Sequence, residues 1–189
     1  MDIPSASLPT RYGRFEMQIF TGADGNEHIV LLKGTPKDNC LVRIHSECAT
    51  GDILGSLRCD CRDQLEESLE IIDRAGEGLV IYMRGHEGRG IGLGNKIRAY
   101  ALQEQGFDTY DANVHLGFAP DARDYSDAVT ILKHFGLTKI RLLTNNREKI
   151  EALEEGGITI TEHVSLWTAT NPYNEKYIAT KRKRMGHLG

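Results

Sequence analysis

Three cysteines spaced C-x10-C-x-C, Cys48, Cys59 and Cys61, constrain this chain more than any other feature. With His45-Ser46-Glu47 before them and Asp60 between them, they form a set that can close on one soft cation, and zinc is the leading candidate. Such a cation must draw the segment before Cys48 and the segment after Cys61 to one point. Zinc sites with three protein ligands keep a fourth position open for water, whereas structural sites use four ligands and are closed, so the count leans towards catalysis. The alternative is that the three are buried small hydrophobes, but Arg58, Asp60 and Arg62 around the C-x-C make a poor core sequence. A disulfide framework is disfavoured. Four cysteines permit three pairings, yet no apolar N-terminal stretch is present to direct the chain to an oxidising compartment. The expectation is a cytoplasmic protein. Cys40, after the turn-like Lys37-Asp38-Asn39, is a candidate fourth ligand in principle but reads better as an isolated free thiol.

The 189 residues suffice for one sizeable core and no Pro-, Gly- or Ser-rich linker divides them, so residues 1–189 are expected to form a single domain. No apolar run is long enough to span a bilayer and no internal repeat is visible. A net charge of -4 disfavours a general nucleic-acid binder, which carries a basic surplus. Neither nucleic acid nor membrane is therefore expected as a partner, and an anionic ligand must be held by local clusters. Arg84, Arg89, Lys96 and Arg98 form one such cluster; Lys181-Arg182-Lys183-Arg184 reads instead as a solvated helix face.

Alternation over 14–20 and short apolar runs over 28–33 and 41–45 predict three strands, the third delivering His45 through Cys48 at its end. From Asp60 the period lengthens. Leu65, Leu69 and Ile72 follow at i, i+4 and i+7 with Gly76 as a stop, which predicts a helix whose first turn carries Cys61 and Gln64. The cysteine set thus lies between a strand end and a helix start, where the helix dipole favours thiolate. A buried strand over 78–83 runs into Arg84-Gly85-His86-Glu87-Gly88-Arg89-Gly90-Ile91-Gly92-Leu93-Gly94-Asn95-Lys96. Glycines between a strand and a helix let backbone amides approach anionic oxygens. The spacing fits neither G-x-G-x-x-G nor G-x-x-x-x-G-K-[ST], but His86, Glu87 and Arg89 together argue for a ligand site rather than a plain turn.

Further helices are expected over 93–105, around Ala128 to Phe135, after Thr144-Asn145-Asn146 as far as Gly156, and over 174–185. Strands are expected over 139–143 and 158–163, a polar connection over 107–113, and a loop over 116–125 that contains Asp121-Ala122-Arg123-Asp124. Ligands of open α/β sheets sit at the carboxyl ends of strands, which puts Thr144 and Lys149 within reach of one. N-terminal strands followed by alternating strands and helices indicate an α/β or mixed α+β fold around a mixed sheet.

Assembled, these residues resemble the GTP cyclohydrolase II family, which opens riboflavin biosynthesis. The resemblance runs nearly end to end, through Leu8-Pro9-Thr10, Arg43-Ile44-His45-Ser46-Glu47-Cys48, Leu57-Arg58-Cys59-Asp60-Cys61, Gly85 to Leu93, Asn95-Lys96, Arg98-Ala99-Tyr100, Asp121 to Tyr125, Leu142 to Asn146 and Met185-Gly186-His187-Leu188. It implies a homodimeric enzyme, with one zinc per chain and magnesium on the triphosphate, that converts GTP and water to formate, pyrophosphate and a 2,5-diamino-6-ribosylaminopyrimidinone 5'-phosphate. By motif position it makes Cys48, Cys59 and Cys61 the zinc ligands, Arg123 the nucleophile, Asp121 the proton acceptor, and Tyr100 a participant in the purine-ring chemistry. Substrate contacts fall on Arg43, Ile44, His45, Ser46, Glu47, Gln64, Glu87, Gly88, Arg89, Thr109, Thr144 and Lys149. Glu47 or Glu87 would read the guanine N1–H and amino group, and Arg43, Arg89 and Lys149 would hold phosphate oxygens. Magnesium would be bound chiefly through the phosphates. Gly94 and Arg147 stand where the family commonly has a bulkier apolar residue and a proline. No stretch matches the second domain of bifunctional relatives that make dihydroxybutanone phosphate, so a monofunctional protein is expected.

Rival readings differ in what they need. A zinc nucleobase deaminase would use H-x-E, present as His45-Ser46-Glu47, but it also needs P-C-x-x-C, and the later pair here is C-x-C. A non-catalytic zinc- or nucleotide-binding domain would have lost a catalytic group, yet Arg123, Asp121, Tyr100 and the three cysteines are present. A paralogue in secondary metabolism, or one that stops at a formylated intermediate, stays open at this level.

Overall fold

The structure, a computed structural model, describes residues 3–119, 121–175 and 177–179. Three strands, β1 (Ser5–Thr10), β2 (Gly13–Thr21) and β3 (Glu27–Lys33), form an antiparallel meander. The chain continues through β4 (Leu41–Ser46), α1 (Cys61–Ala75), β5 (Gly78–Met83), α2 (Gly92–Glu104), α3 (Thr109–His115), α4 (Ser126–His134), β6 (Lys139–Leu143), α5 (Arg147–Glu155) and β7 (Thr159–Val164). All seven strands join one mixed sheet in the order β1-β2-β3-β5-β4-β6-β7. Its β5-β4-β6-β7 half is parallel, and β3 joins it antiparallel along β5. Parallel neighbours need crossover connections that cover both faces, so β4 and β5 read as near-continuous apolar runs and are buried almost throughout.

Side chains alternate across these strands, and the two faces support different cores. Val42, Ile44, Leu79 and Ile81 pack with Ala128, Ile131 and Leu132 of α4 and Leu153 of α5. Leu41, Val80, Leu143 and Phe15 pack on the other face with Leu69 and Ile72 of α1, the residues whose i, i+3 spacing marks the apolar stripe of that helix. Burying each of these two stabilises the fold by about 1.5–3 kcal/mol. At the carboxyl end of β4, α1's face of the sheet carries Arg43 and His45.

Two expectations require correction. Residues 107–113, read as a polar connection, contain the start of α3; Asp108 caps it by accepting from the Asp111 amide (2.8 Å). Among its described side chains only Ala112 and Asn113 are buried, which leaves no apolar period in the sequence. β1 was not expected either. It is a largely exposed edge strand that contains Pro9, a residue that sheets tolerate at their edges. Residues 175 and 177–179 are helical, as expected for the last element; Lys181 to Arg184 and Met185 to Leu188 lie outside the described residues. Among the described residues no helix is long and apolar enough to cross a membrane. Gly94 lies in α2 with room for a side chain, and Arg147 opens α5 paired with Glu151 (2.8 Å), so neither departure disturbs the fold.

Candidate functional site

Beyond β4 the Glu47 amide donates to the Met83 carbonyl (3.0 Å), and the chain then closes one π-helical turn over Ala49–Ile53. The turn is built around Asp52. Its buried carboxylate accepts from the Cys48 amide (3.0 Å), from the Tyr82 hydroxyl (2.8 Å) and from His45 Nε2 (3.2 Å). Burial, then the Asp52 charge, pushes the Tyr82 phenol well above its ordinary value, so it stays a donor. Cys59 and Cys61 arrive from the other side, at the start of α1, where Asp60 accepts from Gln64 Nε2 (2.6 Å).

The three Sγ atoms lie within 4.8 Å of one another, and those of Cys48 and Cys59 are 3.7 Å apart. The thiols are free. A tetrahedral ion with Zn–S bonds of about 2.3 Å sets its sulfurs about 3.8 Å apart, so the donor set fits zinc in both chemistry and spacing. Gly51 makes the room: a Cβ there would stand 2.8 Å from Cys59 Sγ and 3.1 Å from Cys48 Sγ. Gly51→Ala is therefore expected to lower zinc content by at least about half while the sheet stays folded. Elemental analysis beside circular dichroism checks this, and a fully loaded variant would show that the cradle is not tight.

The three thiols perturb one another strongly. Hydrogen bonds from Cys59 and Cys61, then the Lys96 ammonium 3.1 Å away, drive the Cys48 thiol far down. The Cys48 thiolate in turn pushes Cys59 up to about 11 and Cys61 well above its usual range. Burial opposes a charge on Lys96, but the Cys48 thiolate and the Glu87 carboxylate (2.6 Å) outweigh it and hold the ammonium above its ordinary value.

The cysteines form one part of a cleft at the carboxyl ends of β4, β5 and β6. Arg43, His45, Ser46, Glu47, Gln64, Gly88, Arg89, Tyr100, Arg123, Thr144 and Lys149 all line it. Arg43 is nearly fully buried; its Nη1 donates to the Leu143 carbonyl (3.0 Å) and its Nη2 to Gln64 Oε1 (2.7 Å). Burial pulls its pKa down to about 10, which leaves it a cation at neutral pH. Lys149 reaches across from α5 to the Ile44 carbonyl (2.7 Å). Arg89 holds a left-handed backbone (φ 65°), an uncommon conformation for a residue with a side chain. Arg123 is clamped by Asp121, whose oxygens accept from Nε at 2.8 and 3.1 Å and also from Nη2.

Two of the expected substrate contacts, Ile44 and Glu87, and the expected proton acceptor, Asp121, do not line the cleft. Ile44 faces the α4–α5 core, because alternation that points Arg43 and His45 to the cleft must send their neighbour away. Glu87 is buried beside the cleft with its carboxylate engaged by the Ala49 amide (2.6 Å), the Gly88 amide (3.2 Å) and Lys96. Asp121 stands behind Arg123 rather than on the cleft wall. The Thr109 side chain lies outside the described residues.

Some residues of the site carried no signal in sequence spacing. Asp52 is one, and Arg58 is another, stacked 4.2 Å over the Tyr100 ring. Lys96 was expected among cations for an anionic ligand but is committed to Cys48 and Glu87. A second cluster, Asp24, His28 and Asp127, does not suit a metal. There His28 Nδ1 accepts from the Arg84 amide (3.2 Å), so Nε2 carries the proton and donates to Asp127 (3.0 Å), which leaves no lone pair for an ion.

Comparison with known proteins bears on this arrangement directly. The sequence profile described as GTP cyclohydrolase II matches residues 2–165. The GTP cyclohydrolase-2 of Picrophilus torridus is 51% identical over 185 residues, 97% of this chain and 96% of that one. The GTP cyclohydrolase-2 of Azotobacter vinelandii is 52% identical over 189 residues, 98% of this chain and 90% of that one. The riboflavin biosynthesis protein RibBA of Salinispora tropica is 50% identical over 189 residues, 98% of this chain, which spans 47% of that longer protein. A profile match that runs from the meander through β7, and so takes in the cleft-lining residues from Arg43 to Lys149, shows that the chain belongs to the GTP cyclohydrolase II family.

Proposed function

We propose that the chain hydrolyses GTP with opening of the imidazole ring, releasing formate and pyrophosphate and leaving the diaminopyrimidinone phosphate that enters riboflavin synthesis. The observation that carries this is the meeting, in one cleft, of a three-thiol set with zinc spacing and the cations Arg43, Arg89, Arg123 and Lys149. Zinc held by Cys48, Cys59 and Cys61 would supply Lewis acidity towards the water that must attack C8 of a weakly electrophilic purine.

The chain's own residues account for the rest. The four cations bind and orient the triphosphate, on which magnesium is carried, and Arg123 faces the phosphorus from which pyrophosphate leaves, where positioning and charge stabilisation do most of the catalysis. Asp121 accepts from the Arg123 fork and so fixes its aim; the proton-acceptor role that the resemblance gives Asp121 is part of the same proposal. Of the two carboxylates expected to read guanine, Glu47 lines the cleft, whereas Glu87 is occupied by Lys96 and two amides. Tyr100 lies 3.5 Å from Thr50 Oγ1 beside the metal turn, and burial raises its phenol, so it stays protonated and can donate to the ring nitrogen as the ring opens. The same reading takes the protein to be a cytoplasmic homodimer; the exposed apolar side chains Ile53, Leu54 and Leu57 beside the metal turn support a second copy as the partner.

The test is incubation with GTP and magnesium, with formate, pyrophosphate and pyrimidine assayed separately. Equimolar release of all three is expected, and ATP should be turned over at least about 100-fold less efficiently, because a site built to hydrogen-bond guanine leaves polar groups unpaired against adenine. Comparable turnover of ATP, or pyrophosphate without formate, would overturn the proposal.

A further inference from the structure

His86 is buried in the cleft wall and has none of the roles above. Its Nε2 lies 2.9 Å from the backbone carbonyl of Asp124. A carbonyl can only accept, so Nε2 carries the proton and Nδ1 is a bare acceptor. Nδ1 in turn lies 3.2 Å from Ser46 Oγ, so the Ser46 hydroxyl must donate to it. With its one hydrogen committed, Ser46 presents lone pairs, and Nη1 of Arg123 donates to it at 3.3 Å. The opposite edge of the same guanidinium is held by Asp121.

The plane of the His86 ring is set by Tyr125, packed edge-to-face with centroids 5.3 Å apart. The two loops that carry the network are also joined by backbone: the Ala122 amide donates to the Arg89 carbonyl (3.1 Å), and a Cβ on Gly90 would crowd the Ala122 carbonyl oxygen at 3.1 Å. Burial first, then the Arg123 and Lys149 cations, pulls His86 down to about 4, so the ring is neutral at pH 7 and its Nδ1 stays an acceptor.

We propose that His86 is a positioning residue for GTP hydrolysis, which fixes the Ser46 hydroxyl and, through it, the aim of the Arg123 guanidinium into the cleft. This rests on the reading of the cleft as a GTP site. Misplacing a reacting group by about 1 Å costs on the order of 100-fold in rate without weakening binding of the rest of the substrate.

His86→Gln keeps a donor for the Asp124 carbonyl but removes the acceptor for Ser46. It is expected to lower kcat for pyrophosphate release about 30- to 100-fold with KM for GTP within about threefold. Ser46→Ala should do about the same. Because the two act in series, the double variant should be no more than about threefold below the slower single variant. His86→Asn, which can place its carbonyl where Nδ1 stood, should recover about tenfold over His86→Gln. Zinc content and thermal midpoint, measured on each variant, exclude unfolding. Multiplicative losses in the double variant, a rise in KM at unchanged kcat, or His86→Asn no better than His86→Gln would overturn the inference. If the wild-type chain releases neither pyrophosphate nor formate from GTP, the reading of the cleft fails and this inference with it. An active wild type with an equally active His86→Gln overturns the inference alone.

Discussion

Cys59→Ser is expected to abolish formate release from GTP, by about 1000-fold or more, while pyrophosphate release survives to within about tenfold. Removing one of three thiolates removes the metal, because the remaining pair cannot hold zinc against competing ligands; zinc should fall below about 0.1 equivalent per chain. Ring opening depends on an activated water and is lost with it. On the proposed reading, chemistry at the phosphorus depends on Arg123, Arg43, Arg89 and Lys149 rather than on the cysteines. The cleft also keeps its shape, since Asp52 pins the Cys48 amide, His45 and Tyr82 without help from a metal. Lys96 meanwhile offsets the charge of Cys48. Arg123→Ala should instead impair both products. The measurement is quantification of formate, pyrophosphate and GMP from folded variants, with GTP affinity determined alongside. Metal-free protein that binds GTP with wild-type affinity yet releases no pyrophosphate would refute this division of labour.

Asp52→Ala is expected to destabilise the chain by about 3–5 kcal/mol, among the largest effects of any single substitution. The carboxylate is buried and three donors lean on it, the Cys48 amide, the His45 ring and the Tyr82 hydroxyl. Alanine leaves all three unsatisfied away from water, and each such group costs about 1–3 kcal/mol. Asp52→Asn keeps one acceptor oxygen and should cost about half as much. Urea unfolding of metal-stripped protein is the appropriate measurement, because zinc binding would otherwise add its own linkage to the result. A loss below about 1 kcal/mol for the alanine variant would mean that the three donors find water, and that the turn is not organised by Asp52.

Much of this architecture is legible in local pattern, and the reason is periodicity. Strands over 78–83 and 139–143 are found at those residues, and the helix from Cys61 ends before Gly76, because apolar spacing and a left-handed glycine stop are short-range signals. Elements whose burial is slight left no such trace, which is why β1 and α3 went unread. The meeting of Cys48, Cys59 and Cys61 was also legible, since few residue types close on a cation and their spacing joins a strand end to a helix start.

What alternation implied but was not drawn from it is that Ile44 faces away from a cleft lined by Arg43 and His45. What no local rule contained is the partner of each charged group. Lys96 meets Cys48 from 48 residues away, and His86 meets Ser46 across 40. Which of Glu47 and Glu87 faces the cleft turns on those pairings. Local pattern located every strand of the sheet except β1, together with the thiol set and the family motifs. Only the tertiary structure decided which cations face a ligand and which are spent on buried partners, because that choice depends on how parallel crossovers bring distant strand ends together and exclude water from between them.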